Sequence, residues 1–312
     1  MKFSKKLPLF VSTSFYCTFF LTALLCFSKP KKTTFIIPNS KNLSDRYRKT
    51  KKNLSFPIIT NIFISTFHIK RGEYSGGSNL QLLLNMLLNK QVMRKITFPE
   101  GMSSVQIYDT LKEREDLTGE IKHTPEEGTL YNSTYVYTLH SDRNQLIRKM
   151  EEEFVKASED IFKNSYSIWK NKKDWITFAS IIEKEGKEKE EKEKIASVFL
   201  NRIKRGMKFE SCATVLYFKT QGKYNLNKLM FKDLLEKNPF NTYRNKGLPP
   251  KPITNPSVES LLIALNPKPT ENLFFFIRDN KTIFSKRFSN HVKKKSKQNS
   301  KNIKTNKQNI TP

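Results

Sequence analysis

The chain is poor in the residues that staple small domains and hold metals. Of 312 residues only three are cysteine, and Cys17 and Cys26 lie in an apolar N-terminal stretch, leaving Cys212 alone in the rest. That excludes a disulfide framework and a zinc site of spaced Cys and His pairs. Histidine is nearly as scarce, with four residues scattered at 68, 123, 140 and 291, so no metal site and no cofactor is expected. Acidic residues are outnumbered, 29 against 57 Lys and Arg, for a formal net charge of +28. A field of that sign favours polyanions: nucleic acid, an anionic membrane surface or an acidic polymer. Neither a zinc-finger nor an RNP-type motif is present, and Lys- and Asn-heavy tails raise the charge unaided, so nucleic acid is not an expected partner. With 37% hydrophobic and 28% charged residues, the chain can build one large domain or two modest ones beside extensive polar segments.

What is present begins at the N-terminus. "MKFSKK" precedes residues 7–28, "LPLFVSTSFYCTFFLTALLCFS", which carry no charge. At 1.5 Å per residue this run makes about 33 Å of helix, enough to cross a bilayer core. It is longer than the apolar part of a usual signal peptide, no A-x-A site precedes "KPKK", and Leu25 stands where a lipoprotein box needs a small residue. A retained single transmembrane helix is expected, with residues 1–6 as its cytoplasmic tail. The charge bias opposes export of the body. Lys2, Lys5 and Lys6 precede the span, but Lys29, Lys31, Lys32, Lys41, Arg46 and Arg48 follow it closely, which by the positive-inside rule favours a cytoplasmic body.

Residues 29–54 read as a basic, polar linker. "FPIITNIFISTFHIKRG" (56–72) has the β-branched and aromatic content of one or two strands. The apolar positions 80, 83, 84, 87 and 88 keep a helical period. A strand at 96–98, a turn at "PEG" and a helix from about Ser103 complete a small α+β module. The stretch 125–140 reads as extended, and "NQLIRKMEEEFVKASEDIF" as an amphipathic helix. Residues 238–257 carry five prolines in twenty positions and can form neither a helix nor a central strand. A long stiff loop of this kind inside a domain is more often functional than structural. A short helix, "VESLLIALNP", and a hairpin, "NLFFFIRDNKTIFSK", follow, and the lysine-rich residues 292–312 read as a disordered basic tail.

The sharpest local puzzle is "ASIIEKEGKEKEEKEKIASVFLNRIKRGMKF" (179–208), where a buried-type helix runs straight into charge. Glu188 with Lys192 and Glu190 with Lys194 make favourable i,i+4 pairs, so most of the charge run reads as the solvated start of a second helix. Its inner stripe is Ile195, Val198, Phe199, Arg202 and Ile203. Glu183 and Glu185 are not accounted for in this way. Each continues a row of apolar or small residues: Ile176, Ala179 and Ser180 above Glu183, and Phe178, Ile181 and Ile182 above Glu185. Periodicity gives the two carboxylates equal standing.

Those segments, in order, resemble the MltG-type (YceG-like) endolytic peptidoglycan transglycosylases. The likeness rests on "ITFPEGMSSVQIYDTL", "EEGTLYNSTYVYTL", "ASIIEKEG…IASVFLNRIKRGM", "TVLYF", "FNTYRNKGLPPKPITNPSVESLLIALNP" and "FFFIRDNKTIFSK", and spans roughly residues 55–291. It implies an α+β fold, with a LysM-like module at 55–122 and a YceG-like catalytic domain at 123–291. It also implies a catalytic domain outside the cytoplasmic (inner) membrane, which settles orientation against the charge bias. The implied reaction cleaves MurNAc-GlcNAc bonds of nascent peptidoglycan strands, leaves 1,6-anhydro ends and so terminates strand elongation. Implied partners are glycan strands and the membrane, with cell-wall synthases or division proteins beside them. The first glutamate of the motif, Glu183, takes the catalytic role, with Glu185 as supporting or alternative acid. Ser180, Tyr217, Asn241, Tyr243 and Asn255 are substrate-binding candidates, Tyr243 as a sugar-stacking ring. Partial burial is expected to raise the proton affinity of Glu183 so that it is protonated near neutrality. The chain departs from the family pattern at Cys212-Ala213, usually Asp-Pro, at Asn132-Ser133, usually Pro-Asp, and at Thr282, often His. The alternative is a catalytically silent, membrane-tethered glycan-binding or division scaffold.

Overall fold

The computed structural model describes residues 33–37, 67, 69–163, 168–224, 226, 229–278 and 281–296. The expected span at 7–28 lies outside them, as do residues 56–66 and 68 of the strand-like stretch 56–72. Among the described residues no helix is long and apolar enough to cross a membrane. The fold is mixed α+β, and the chain divides into two compact units that alternate along the sequence, the smaller taking residues 1–96, 115–118 and 135–142.

In that first unit β1 (Thr33–Ile37) pairs antiparallel with β2 (Gly72–Gly76), Phe35 facing Tyr74. The stretch 29–54 thus contains a strand where a linker was expected. "TTFII" is β-branched and aromatic, and its alternation buries Phe35 and Ile37 while Ile36 stays exposed. Helix α1 (Asn79–Leu87), capped by the Ser78 side chain, lays Leu83 and Met86 on these residues and on Tyr74. The strand β3 (Met93–Thr97) pairs with β5 (Thr134–Thr138), and the short β4 (Leu117–Thr118) lies parallel to β6 (Ser141–Asp142). Arg94 ties two parts of the unit through Glu73 at 2.5 Å and Asp116 at 3.1 Å.

The second unit is mainly helical. Its helices are α2 (Ser104–Glu113), α3 (Arg143–Lys163), α4 (Lys172–Glu185), α5 (Lys189–Lys204), α6 (Cys212–Thr220), α7 (Phe231–Leu234) and α8 (Val258–Leu265), closed by the hairpin β7 (Phe274–Arg278) and β8 (Lys281–Ser285). Ser103 caps α2 in a reciprocal capping box with Gln106. Helix α4 is central. Trp175, Phe178, Ile181 and Ile182 are fully buried, and α8 and α5 pack against it. Trp175 Nε1 donates to Leu261 O at 2.9 Å, fastening α4 to α8, and Phe178, Phe199 and Phe209 form an aromatic cluster between α4, α5 and the chain after them. At about 1.5–3 kcal/mol for each large apolar side chain withdrawn from water, this cluster holds α4 against its neighbours.

The chain from 235 to 257 stays without helix or strand, as its prolines require. Of the tail expected at 292–312, residues 292–296 are among those described, and they complete a helix at 288–296, where the ring of His291 packs with Phe274, Phe276 and Phe288. Lys294 Nζ also donates to Phe284 O at 2.8 Å. Two aromatic contacts and a hydrogen bond to the hairpin anchor a segment whose composition alone reads as unstructured.

Candidate functional site

Glu183 stands at the last turn of α4 and meets the first turn of α8. Its Oε2 accepts from Ser257 N at 3.1 Å, Ser257 Oγ at 2.6 Å and Ser260 Oγ at 2.6 Å. Lys192 Nζ reaches in from α5, 3.3 Å from both carboxylate oxygens. The two side chains are 6% and 4% exposed, so this is a buried ion pair. Lys192 is also 3.5 Å from the partly exposed Glu259. Ser257 is the N-cap of α8, so the carboxylate also faces the positive end of that helix. Burial pushes the proton affinity of Glu183 up, but the Ser257 and Ser260 hydrogen bonds and the Lys192 charge outweigh it, and its pKa lies below the usual carboxylate range. The expected rise is therefore reversed. The apolar rows supply the burial, yet four donors meet the charge there.

Two glycines make room for this arrangement. Gly101 has φ +71°, and a Cβ there would come within 3.3 Å of Glu183 Cγ. Its carbonyl is held by Thr254 Oγ1 at 2.6 Å. A Cβ at Gly186 would sit 2.7 Å from Lys192 Cγ, so only glycine lets the lysine cross beneath the end of α4. Glu100, beside Gly101, has its carboxyl pushed up by burial and by the charge of Glu183.

Glu185 turns the other way, toward the start of α6. Its Oε1 accepts from Ser211 Oγ at 2.5 Å and from Ala213 N at 3.4 Å. No ion pair compensates it among the described residues, and burial, only partly offset by these two donors, raises its pKa. It lines a cavity of about 180 Å³ with Lys184, Cys212, Tyr217, Tyr224 and Thr254. The thiol of Cys212 is 3.1 Å from the Tyr243 hydroxyl. A third carboxyl, Glu127, is 8% exposed and accepts from Ser104 N through both oxygens. Burial, against that hydrogen bond and the charges of Lys251 and Lys184, pushes it up to about 7.

The other candidates fall into two groups. Tyr217 and Tyr243 belong to the surroundings of Glu185, the first packed on Phe240 with ring centroids 5.1 Å apart. Ser180, Asn241 and Asn255 are fully buried and fully occupied. Ser180 Oγ donates to Thr177 O and accepts from Ile253 N. Asn241 Nδ2 donates to Leu234 O and Glu236 O. Asn255 Oδ1 accepts from Gly128, Thr129 and Leu130 N–H, and its Nδ2 donates to Met102 O and Ser104 Oγ. All three position loops around the site. Lys192, Ser257, Ser260, Glu100, Gly101 and Glu127 were not foreseen as site residues. For Lys192 a signal existed. It stands three, four and seven residues before Ile195, Ala196 and Phe199, and so extends the buried stripe of α5. Glu190 and Lys194 do pair, at 3.9 Å, on the exposed side. Among the described residues no group of three or more His, Cys, Asp or Glu is placed to hold a metal ion.

Comparison with known proteins adds to this geometry. A model of the YceG-like family matches residues 39–297. The endolytic murein transglycosylase of Bacillus subtilis (strain 168) is 38% identical over 183 residues, 57% of this chain and 49% of that protein. The protein of that name from Streptococcus pneumoniae serotype 2 (strain D39 / NCTC 7466) is 32% identical over 157 residues, 48% of this chain and 27% of its own. The chain thus spans about half the length of the first of these relatives and less of the second. A crystal structure of a yceG-like protein from Listeria monocytogenes is similar with a TM-score of 0.52 at 27% identity, covering 85% of this chain and 99% of that one.

Proposed function

The chain belongs to the YceG-like family, and on that premise we propose that it is an endolytic peptidoglycan transglycosylase. The relatives named above carry the reading, and the observation that localises it is the pair of carboxylates at the end of α4, each withdrawn from water and each set at the start of another helix. The reaction consumes no water. An acid protonates the leaving oxygen of the MurNAc-GlcNAc bond, and the sugar's own 6-hydroxyl attacks the anomeric carbon to close a 1,6-anhydro ring. An ordinary glycosidase needs two carboxylates at a set separation. An intramolecular nucleophile removes that need, so one carboxyl can serve first as acid and then as base. The family motif gives the role to Glu183, with Glu185 as the alternative.

The setting proposed for this chemistry is a single membrane span at 7–28 with the remainder outside the cytoplasmic membrane. A LysM-like module at 55–122 and the catalytic domain at 123–291 follow the basic stretch 29–54. Glycan strands are the substrate, with cell-wall synthases or division proteins as neighbours. Mass spectrometry of glycan products from the purified full chain tests the activity: 1,6-anhydro ends are expected. Glycan that is bound but not cut would instead mark a silent tethered scaffold. A reporter fused after Pro312 tests the topology, and activity of that reporter only in the cytoplasm would overturn it.

A further inference from the structure

We propose that the cleft between the start of α4 and the proline-bound loop binds the acidic peptide stem carried by the lactyl group of MurNAc. This rests on the transglycosylase reading for its substrate, and it holds whichever carboxylate of α4 acts. The cleft has a volume of about 570 Å³, within the range of ligand sites. Lys172, Lys173 and Ile176 of α4 line it, as do Phe240, Lys251 and Pro252 of the loop. The turn at Gly128 joins the two, since a Cβ there would come within 2.7 Å of Pro252 Cγ and 2.9 Å of Ile176 Cγ2. Its φ is +80°, and Asn255 holds the turn by accepting from the N–H groups of Gly128, Thr129 and Leu130.

Three cations border this hollow, and the fold makes no use of them. None of the ammonium groups of Lys172, Lys173 and Lys251 has a hydrogen-bond or ion-pair partner among the described residues. Lys172 and Lys173 open α4, where the helix field disfavours positive charge, so stability does not explain their place. Lys251 stands between Pro250 and Pro252. Proline fixes its own φ and drives the residue before it into an extended conformation, so this lysine rides on a stiff wall. The opposing charges are Glu126, exposed, and Glu127, buried. Glu127 is engaged by Ser104 N, and burial pushes it up to about 7, which weakens its opposition to the lysines. The cleft is thus cationic, with one exposed carboxylate. That complements a stem, which carries several carboxylates and the amine of its diamino acid.

The cleft also lies within reach of the glycan. Pro250, Lys251 and Pro252 line it, and the residues that follow, Ile253 and Thr254, line the cavity that Glu185 borders. Phe240 of the cleft packs on Tyr217 of that cavity, with ring centroids 5.1 Å apart. The two hollows therefore share a wall. Ile176 stands seven and nine positions before Glu183 and Glu185, roughly 10–14 Å along the helix axis. Four extended residues of a stem span about 13–14 Å, so a peptide that leaves a sugar at the end of α4 can bring its carboxylates to the lysines.

The test has two readouts on the purified full chain. The first is calorimetric binding of the N-acetylated stem peptide, alanyl-γ-glutamyl-diaminopimelyl-alanine, to millimolar concentration. Saturable binding is expected, weakened about tenfold when Lys173→Gln and Lys251→Gln are combined. The second compares kcat/KM for release of 1,6-anhydro ends from uncrosslinked strands that carry stems and from strands stripped of them by an amidase. The unaltered chain should prefer the stem-bearing strands, and the double variant should lose about tenfold of that preference, through KM. No binding of the peptide, or equal kcat/KM on the two strands, overturns the stem site. Binding that the double variant does not weaken places the peptide elsewhere and overturns it as well. Peptide binding without anhydro ends from either strand leaves the cleft a peptide site and overturns the transglycosylase reading instead.

Discussion

Two glutamates separated by one lysine end the same helix, and their surroundings make them chemically different residues. Glu183 faces α8 and meets Ser257, Ser260 and Lys192. Glu185 faces α6, has one hydroxyl and one distant backbone donor, and opens on a cavity. Each faces the N-terminus of another helix and both are withdrawn from water, so neither burial nor the helix field distinguishes them. The difference is the lysine and the number of donors. Where two titratable groups are driven apart in proton affinity, acid and anion roles are separated. Here the anion fastens α4, α5 and α8 together, and the carboxyl whose proton affinity burial raises borders the cavity.

Removing the lysine is the most severe way to break that contrast. Lys192→Met should leave Glu183 buried without its counter-charge and cost about 3–5 kcal/mol in urea unfolding, while Lys192→Arg keeps the charge and costs less. The sign with pH is fixed. A carboxyl held below its ordinary pKa stabilises the fold above that ordinary range and loses the contribution as pH falls through its folded value. The unaltered chain should therefore lose stability in acid, and Lys192→Met should lose less over the same interval. Equal acid sensitivity in the two proteins would show that Lys192 does not set the charge of Glu183.

Glu127 sharpens the comparison from the other side, because it resembles Glu185 but lies against α2. Its rise from the ordinary 4.5 to about 7 corresponds to roughly 3 kcal/mol. The folded state binds this proton more tightly, so stability falls as pH rises through that interval and is level above it. Glu127→Gln keeps an acceptor for Ser104 N–H and removes the charge. Its melting temperature should match the unaltered chain near pH 4 and exceed it at pH 8. A variant less stable at pH 8 would mean that the ionised carboxylate is the form the fold prefers.

Much of this could be read in the sequence, and the remainder fails for stated reasons. The helical periods around Leu83, Leu146, Trp175 and Ile195, the proline-bound loop and the hairpin "FFFIRDNKTIFS" are local patterns, and the structure has an element at each. Both glutamates were singled out because a charge on an apolar row is anomalous within one helix. Their difference was not legible, since Ser257, Ser260 and Lys192 come from other elements and periodicity within α4 says nothing of them. The contacts by which Asn255 holds a loop were equally beyond local patterns. Its partners, Gly128 to Leu130, are more than a hundred residues away in sequence. The helix at 288–296 was not legible because its hold on the hairpin comes from the rings of Phe274 and Phe276, far from its own lysines.

The smallest expected effect comes from the residue that departs most plainly from the family pattern. Cys212 is exposed and touches the Tyr243 hydroxyl at 3.1 Å, so Cys212→Asp should alter stability by no more than about 0.5 kcal/mol. Its consequence is electrostatic. Aspartate at the start of α6 is favoured by the helix field, and an added negative charge beside Glu185 makes loss of the Glu185 proton harder. The alkaline limb of anhydro-end release should move up, with binding of glycan unchanged, and activity above neutrality should be retained or improved. The same substitution would leave a reaction run by Glu183 almost untouched, because that carboxylate is turned toward α8 and already neutralised by Lys192. A limb that moves down, or a protein that no longer folds, would show that the rim of the cavity has been rebuilt around the sulfur and that Asp no longer fits there.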